Sequence, residues 1–213
     1  PHAFLGRKLL VCEGATEVGF CRGLEELWCA QRKGRHPTHV GLVTLNGGGC
    51  SKAPPLALEL KRLGYDVAVL ADSDAPLVPT AAELTMAAIP VFVWDGNVAT
   101  EQRLALDLPL DDLQALLDAA CAKHGTKSIV DQVGHISGVK PAPVGANIAA
   151  WISPQFDEAA ARAAVGRAAH AGAWFKDVTF GTCLGRTVTK AWDAVAPKPL
   201  GTRLKELADW IYA

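Results

Sequence analysis

The chain has 213 residues, half of them hydrophobic, and a formal net charge of −1. That is enough for a substantial core in one domain with an insertion or in two small ones, and no apolar run approaches the length of a membrane span. The charge gives no overall pull toward nucleic acid, so such a role would need local basic patches or metal ions bridging to phosphate; Arg32-Lys33-Gly34-Arg35-His36 is one patch, explained at least as well by a solvated helix end.

The first half alternates strand and helix. Lys8–Cys12 reads as a buried strand, and Thr16–Arg32 as a helix on which Val18, Cys21, Leu24, Leu27 and Trp28 recur at helical spacing. Val40–Leu45 is a second strand, and Asn46-Gly47-Gly48-Gly49 a tight loop. Ala53–Leu63 is a helix with Gly64 as its C-cap, and Asp66–Ala71 a third strand. Thr80–Ala88 is a short helix opened by a capping box from Thr80 to Glu83; Pro90–Trp94 is a fourth strand that ends at Asp95-Gly96. Strands separated by helix-length segments imply right-handed crossovers and a parallel sheet, an α/β architecture.

Beyond Thr100 the strand pattern stops. Helices are expected over Leu110–Lys123, Thr126–Val133, Val144–Ile152 and Asp157–Ala171, the middle two flanking the Pro141/Pro143 breaker. The tail resumes at Ala173-Trp174-Phe175-Lys176, with helices from Cys183 to Ala194 and from Gly201 to Tyr212. This divides the chain into an α/β unit, residues 1–100 and 173–213, and a helical insertion over residues 101–172.

The chain begins with Pro1 rather than Met, as expected of a domain cut from a longer protein. Gly6-Arg7-Lys8 precede a run that reaches Glu13 too soon for a signal peptide. The six cysteines (Cys12, Cys21, Cys29, Cys50, Cys121, Cys183) form no C-x-x-C pair and are expected to be reduced thiols in a cytoplasmic protein.

Chemistry is concentrated where two apolar runs end in carboxylates. Leu9-Leu10-Val11-Cys12 is followed by Glu13-Gly14-Ala15-Thr16-Glu17, and Val67-Ala68-Val69-Leu70-Ala71 by Asp72-Ser73-Asp74. In open α/β sheets the functional crevice lies outside the carboxyl ends of the strands. Four acids crowded there repel one another unless cations neutralise them, which points to a hard-metal site for Mg²⁺ or Mn²⁺. Asp72 and Asp74 are two apart in an extended segment and can project the same way.

Asp95, ending the fourth strand, and Glu101, opening the next helix, are further candidate ligands. Asp95-Gly96 is also a good turn pair, and a glutamate in a first helical turn suits the helix dipole. Lys176, in an apolar setting, could meet charge that develops on a phosphate, or be an ordinary snorkelling lysine. The glycines of the Asn46–Lys52 loop could bring backbone N–H groups to a phosphate or simply turn the chain. The histidines (His2, His36, His39, His124, His135, His170) show no metal-like spacing and read as surface or helix-end residues. The dispersed tryptophans read as core.

E-G-x-x-E after a first strand (Glu13 to Glu17), then D-x-D after a later one (Asp72 to Asp74), resembles the Toprim domain of topoisomerases, bacterial primases and several nucleases. The closer resemblance is to the OLD (overcoming lysogenization defect) family, ATP-dependent nucleases with an N-terminal ABC-type ATPase and a C-terminal Toprim nuclease. The helical segment and the lysine of Trp174-Phe175-Lys176 are similar to the OLD class with an enlarged C-terminal region. Nothing matches the ATPase half, since Gly47-Gly48-Gly49-Cys50-Ser51-Lys52 lacks the P-loop spacing.

The resemblance implies a Toprim-like parallel sheet flanked by helices, acting as the nuclease part of a larger ATPase-linked protein. Glu13, Glu17, Asp72 and Asp74 would bind two ions, with Asp72 the most central, and Asp72, Glu13 and Lys176 would carry catalysis. The expected partners are DNA, or RNA, and the ATPase region. Two alternatives stand beside this reading. One is a non-catalytic metal-binding regulatory or scaffold domain. The other is primase- or topoisomerase-type nucleotidyl transfer, for which the only tyrosines, Tyr65 and Tyr212, are poorly placed.

Overall fold

A computed structural model describes residues 6–139 and 146–213. Pro1, His2, Pro141, Pro143 and the start of the expected Val144–Ile152 helix lie outside the described residues.

Four parallel strands, β1 (Lys8–Cys12), β2 (Leu42–Asn46), β3 (Asp66–Ala71) and β4 (Val91–Val93), form one sheet in the order β2-β1-β3-β4. β1 and β3 occupy the centre, with Leu10 level with Ala68 and Cys12 level with Leu70. Their uninterrupted apolar runs are buried on both faces, as a doubly covered parallel strand requires. Alternation then sorts the side chains. Leu9, Val11, Val67, Val69 and Ala71 face a smaller apolar layer with Ala57 and Leu60 of α2 (Ala53–Arg62) and Leu84 of α3 (Ala81–Met86). Leu10, Cys12, Ala68, Leu70 and Phe92 face the larger one.

That larger layer begins with α1 (Ala15–Gln31) and continues through the helices that follow β4. These are α4 (Thr100–Asp107), α5 (Leu110–His124), α6 (Thr126–Ser137), α7 (Ile148–Trp151), α8 (Glu158–Ala171), α9 (Val178–Lys190), α10 (Trp192–Val195) and α11 (Pro199–Tyr212). Helices from residues 101–172 contribute Leu116, Leu117, Ile129 and Val165 to the same apolar cluster as Leu10 and Leu70 of the sheet. Among the described residues no helix is long and apolar enough to cross a membrane.

Two helix contacts set the positions of site residues. α1 and α9 lie side by side in the same direction and touch through backbone, Gly19 and Gly23 against Gly181 and Gly185. A Cβ on Gly23 would come 2.7 Å from Gly185 Cα, and one on Gly19 2.9 Å from Gly181 Cα. α8 runs antiparallel to α4. Gly166 admits the close approach, since a Cβ there would lie 2.8 Å from Gln102 Cα, and Arg162 Nη1 donates to the carbonyls of Ala105 (3.0 Å) and Leu108 (2.7 Å).

Several element boundaries differ from the sequence expectation, and those of β2 and α9 have clear local causes. Strand β2 starts at Leu42 rather than Val40, because Pro37–Val40 forms a 3-10 turn that closes on Gly41 at φ +76°. Helix α9 starts at Val178 rather than Cys183, because the Asp177 carboxylate caps it by accepting the Phe180 N–H at 2.8 Å. It ends at Lys190, and Trp192–Val195 is a separate turn of helix.

Candidate metal centre

The carboxyl ends of β1 and β3 meet the amino-terminal turns of α1 and α4. Glu13 extends β1 by one residue, its N–H donating to Leu70 O at 2.8 Å, and its Oε2 accepts the Asp72 N–H at 3.1 Å. Glu17, in the first turn of α1, closes a capping interaction by accepting the Gly14 N–H on Oε2 at 2.9 Å. Its Oε1 lies 3.2 Å from the Thr100 hydroxyl. That hydroxyl is 2.7 Å from Asp72 Oδ1, to which the Thr100 N–H also donates at 2.8 Å, and it receives the indole N–H of Trp94 at 2.8 Å. One hydroxyl proton therefore faces two carboxylates, and only one of them can take it fully.

On the other side of Asp72 lies Glu101, 1% exposed at its side chain, with neither carboxylate oxygen hydrogen-bonded. Lys176 Nζ stands 3.7 Å from Oε1 and His170 Nδ1 3.7 Å from Oε2, both too long for hydrogen bonds. His170 Nε2 pairs with Asp74 Oδ2 at 3.1 Å. Asp72, Glu101 and His170 each offer a ligand atom within 4.8 Å of the others.

The electrostatics follow from this crowding. Burial raises the Asp72 pKa, and Glu17, Glu101 and Glu13 add to it against the opposing Thr100 hydrogen bond, bringing it to about 7. Burial also pushes up the carboxyls of Glu13 and Glu17. For Glu101 burial acts the same way, but His170 and Lys176 outweigh it and hold the group below the ordinary carboxylate value. Lys176 is held above its usual value: burial lowers it, and Glu101, Asp72, Glu17 and Glu13 together overcome that. Interaction with Glu101 raises His170.

The structure thus brings together Glu13, Glu17, Asp72, Asp74, Glu101 and Lys176. It leaves out Asp95, whose exposed carboxylate accepts from Arg203 Nη2 at 3.0 Å; β4 is an edge strand and its end is taken by α11. His170 and Thr100 join the group although neither stands in a motif or at a ligand-like spacing. His170 does sit at a helix end, in the last turn of α8, but it faces the acids. The Asn46–Lys52 loop is not a phosphate cradle through its glycines. The N–H groups of Gly47 and Gly49 donate to Cys12 O and Glu13 O, both at 2.8 Å, and that of Gly48 to Asn46 Oδ1 at 2.9 Å. The loop instead braces the end of β1 that carries Glu13. All six cysteines are free thiols, with Cys12 and Cys21 buried.

These residues fit a divalent cation. Five carboxylates (Glu13, Glu17, Asp72, Asp74, Glu101) face two bases, Lys176 and His170, so full ionisation leaves an excess of three negative charges. Buried carboxylate oxygens without donors are costly unless a cation meets them, and Asp72, Glu101 and His170 are placed so that they could hold a metal ion.

A four-stranded parallel sheet flanked by helices, with acids at the carboxyl ends of its central strands, is an α/β arrangement consistent with a Toprim-like fold. Over the whole chain this fold is similar to the C-terminal region of the OLD protein of Xanthomonas campestris pv. campestris, with a TM-score of 0.52 covering 100% of this chain and 97% of that one. Identity is 13%, so the likeness is one of fold. No protein-family profile matches the sequence, and no curated protein does.

Proposed function

We propose that this chain is a divalent-metal-dependent endonuclease domain that hydrolyses phosphodiester bonds in DNA, as the nuclease part of a larger cytoplasmic, ATPase-linked protein of OLD type. The observation that carries the reading is the buried, donor-free carboxylate of Glu101 beside Asp72 and His170, at the carboxyl ends of strands that also present Glu13, Glu17 and Asp74. The fold likeness supports it. In this proposal residues 1–100 and 173–213 form the Toprim-like unit and residues 101–172 a helical insertion that delivers Glu101 and His170.

Glu13, Glu17, Asp72, Asp74, Glu101 and His170 would hold the ions, two in number on this reading, with Asp72 the most central. Asp72 is central because its backbone N–H donates to Glu13, its carboxylate accepts from Thr100 beside Glu17, and it lies within reach of Glu101 and His170. Bound Mg²⁺ or Mn²⁺ supplies charge relief at the phosphate and a more acidic water. The chain's own part is geometric and electrostatic. Thr100 holds the Asp72 carboxylate, Glu13 holds the Asp72 backbone N–H, and burial keeps bulk water from screening the group. Lys176, charged across the physiological range, places an ammonium 3.7 Å from Glu101, where it can offset charge building on a phosphate oxygen.

The test is supercoiled plasmid incubated with the protein in EDTA, Mg²⁺ or Mn²⁺, beside Asp72→Ala and Lys176→Met. Nicking that needs metal and disappears in both variants is the expected result. Cleavage that persists in EDTA or in Asp72→Ala would overturn the reading.

A further inference from the structure

The backbone contact between α1 and α9 has a second effect besides holding the site. Because the two axes run so close, their outward side chains flank a groove of about 600 Å³ between Arg22 of α1 and Val178, Thr182, Cys183, Arg186 and Lys190 of α9. Among the described residues no acidic side chain lines it. Arg22 and Arg186 are exposed and, among the described residues, make no ion pair; Lys190 is 79% exposed and touches Asp112 at 3.3 Å. On a chain whose net charge is −1, three cations along one groove, with Asp112 beside Lys190 and Glu25 in reach of the Arg22 charge, are a local positive field that the composition does not suggest.

The groove also has a direction. Both helices start at the acidic crevice: α1 carries Glu17 in its first turn, and Val178, at the near end of the groove, is two residues past Lys176. From Val178 to Lys190 the groove runs about 18 Å at 1.5 Å per residue. Arg186 and Lys190 stand one helical turn apart on the same face.

We propose that this groove holds the sugar–phosphate backbone of a nucleic acid and leads it to the acidic crevice. The proposal rests on the nuclease reading for its substrate, but binding can be measured apart from cleavage. Arg22, Arg186 and Lys190 contact phosphates without reading bases, and the groove wall has no aromatic side chain on which a base could stack, so binding is insensitive to sequence. The charge offsets the repulsion that any nucleic acid meets on approaching a cluster of carboxylates.

The experiment is fluorescence anisotropy of a labelled DNA duplex with the protein in EDTA, across a salt series. The variants are Arg22→Ala/Arg186→Ala and a charge-matched control, Arg62→Ala/Lys127→Ala, at exposed positions away from the groove and from the Arg32–His36 patch. Circular dichroism checks folding of each. The groove variant is expected to lose affinity about tenfold and to lower the slope of log K against log salt by about 2, roughly one per lost phosphate contact. The control should lose far less. Equal losses in the two variants, or no DNA binding by the wild type, overturn the groove. Plasmid nicking is scored in parallel: nicking with a groove variant no weaker than the control removes this proposal and leaves the nuclease. Groove-dependent binding without nicking in any metal does the reverse.

Discussion

Asp72 is 5% exposed, and its carboxyl rises from 3.8 to about 7 because burial and three neighbouring carboxylates all oppose its ionisation. Its folded pKa is thus above its unfolded one. The stability tied to its bound proton is fully present below about pH 4 and is lost as pH rises through 7. A displacement of about three units corresponds to on the order of 4 kcal/mol of destabilisation once the group is ionised in the metal-free protein. Asp72→Asn removes that ionisation while keeping an oxygen to accept from the Thr100 N–H and hydroxyl, and its amide can donate to a neighbouring carboxylate. In EDTA at pH 8 the variant should melt about 8–16 °C above wild type, at about 2–4 °C per kcal/mol for a chain of this size. At pH 5 the gap should shrink to a few degrees. Millimolar Mn²⁺ should reverse the order, raising the wild-type midpoint and barely moving the variant, because ligand binding stabilises only the state that binds. Thermal melts by circular dichroism at the two pH values, with and without Mn²⁺, decide it. A variant that melts below wild type in EDTA at pH 8, or an equal Mn²⁺ shift in both proteins, would refute the electrostatic argument.

The same logic gives Glu101 the opposite sign. Its ionised form is favoured in the fold by His170 and Lys176, so Glu101→Gln should lower metal-free stability by roughly 1–3 kcal/mol at pH 8, read as a lower melting midpoint. Thr100→Val strips the hydroxyl between Asp72 and Glu17 and leaves the Trp94 indole N–H unpaired. It should cost about 1–3 kcal/mol and weaken Mn²⁺ binding measured by calorimetry, while Thr100→Ser restores both.

The central strands were readable because Leu9–Cys12 and Val67–Ala71 are buried on both faces, which leaves an unbroken apolar run in the sequence. The acids at their ends stood out for the same reason, since charge following such a run marks the sheet edge. Asp95 carries that signature too, yet Arg203, 108 residues away, claims it, and nothing in the local pattern reveals an edge strand covered by a later helix. His170 was illegible for the converse reason. It enters the site only because Gly166, one turn before it, lets α8 close on α4 and carries the ring to Glu101. Thr100 looked like an ordinary residue before a helix, and its role depends on two carboxylates from distant segments. The start of α9 was hidden by Val178-Thr179-Phe180, whose β-branched and aromatic side chains favour strands. There the Asp177 cap and the contact with α1 override local propensity.

The pairing of Gly19 and Gly23 with Gly181 and Gly185 connects fold stability to site geometry. A Cβ at Gly181 would meet the Thr16 carbonyl and lie 3.0 Å from Gly19 Cα, so Gly181→Ala must push α9 away from α1. The Thr16 hydroxyl donates to Phe175 O at 3.1 Å, tying the residue before Glu17 to the residue before Lys176. Separating the helices therefore moves Lys176 relative to Glu17 as well as loosening the core. Gly201→Ala supplies the comparison, because its Cβ would lie 2.6 Å from Ala196 Cα at the α10–α11 turn, which carries no site residue. Each substitution should cost about 1–3 kcal/mol, the usual penalty of overpacking. Below the melting transition of both variants, only Gly181→Ala should also weaken Mn²⁺ binding and metal-dependent nicking. If the two lose stability alike and both keep wild-type metal affinity, the crossing is packing alone, and the Glu17–Lys176 geometry must be held by the crevice residues themselves.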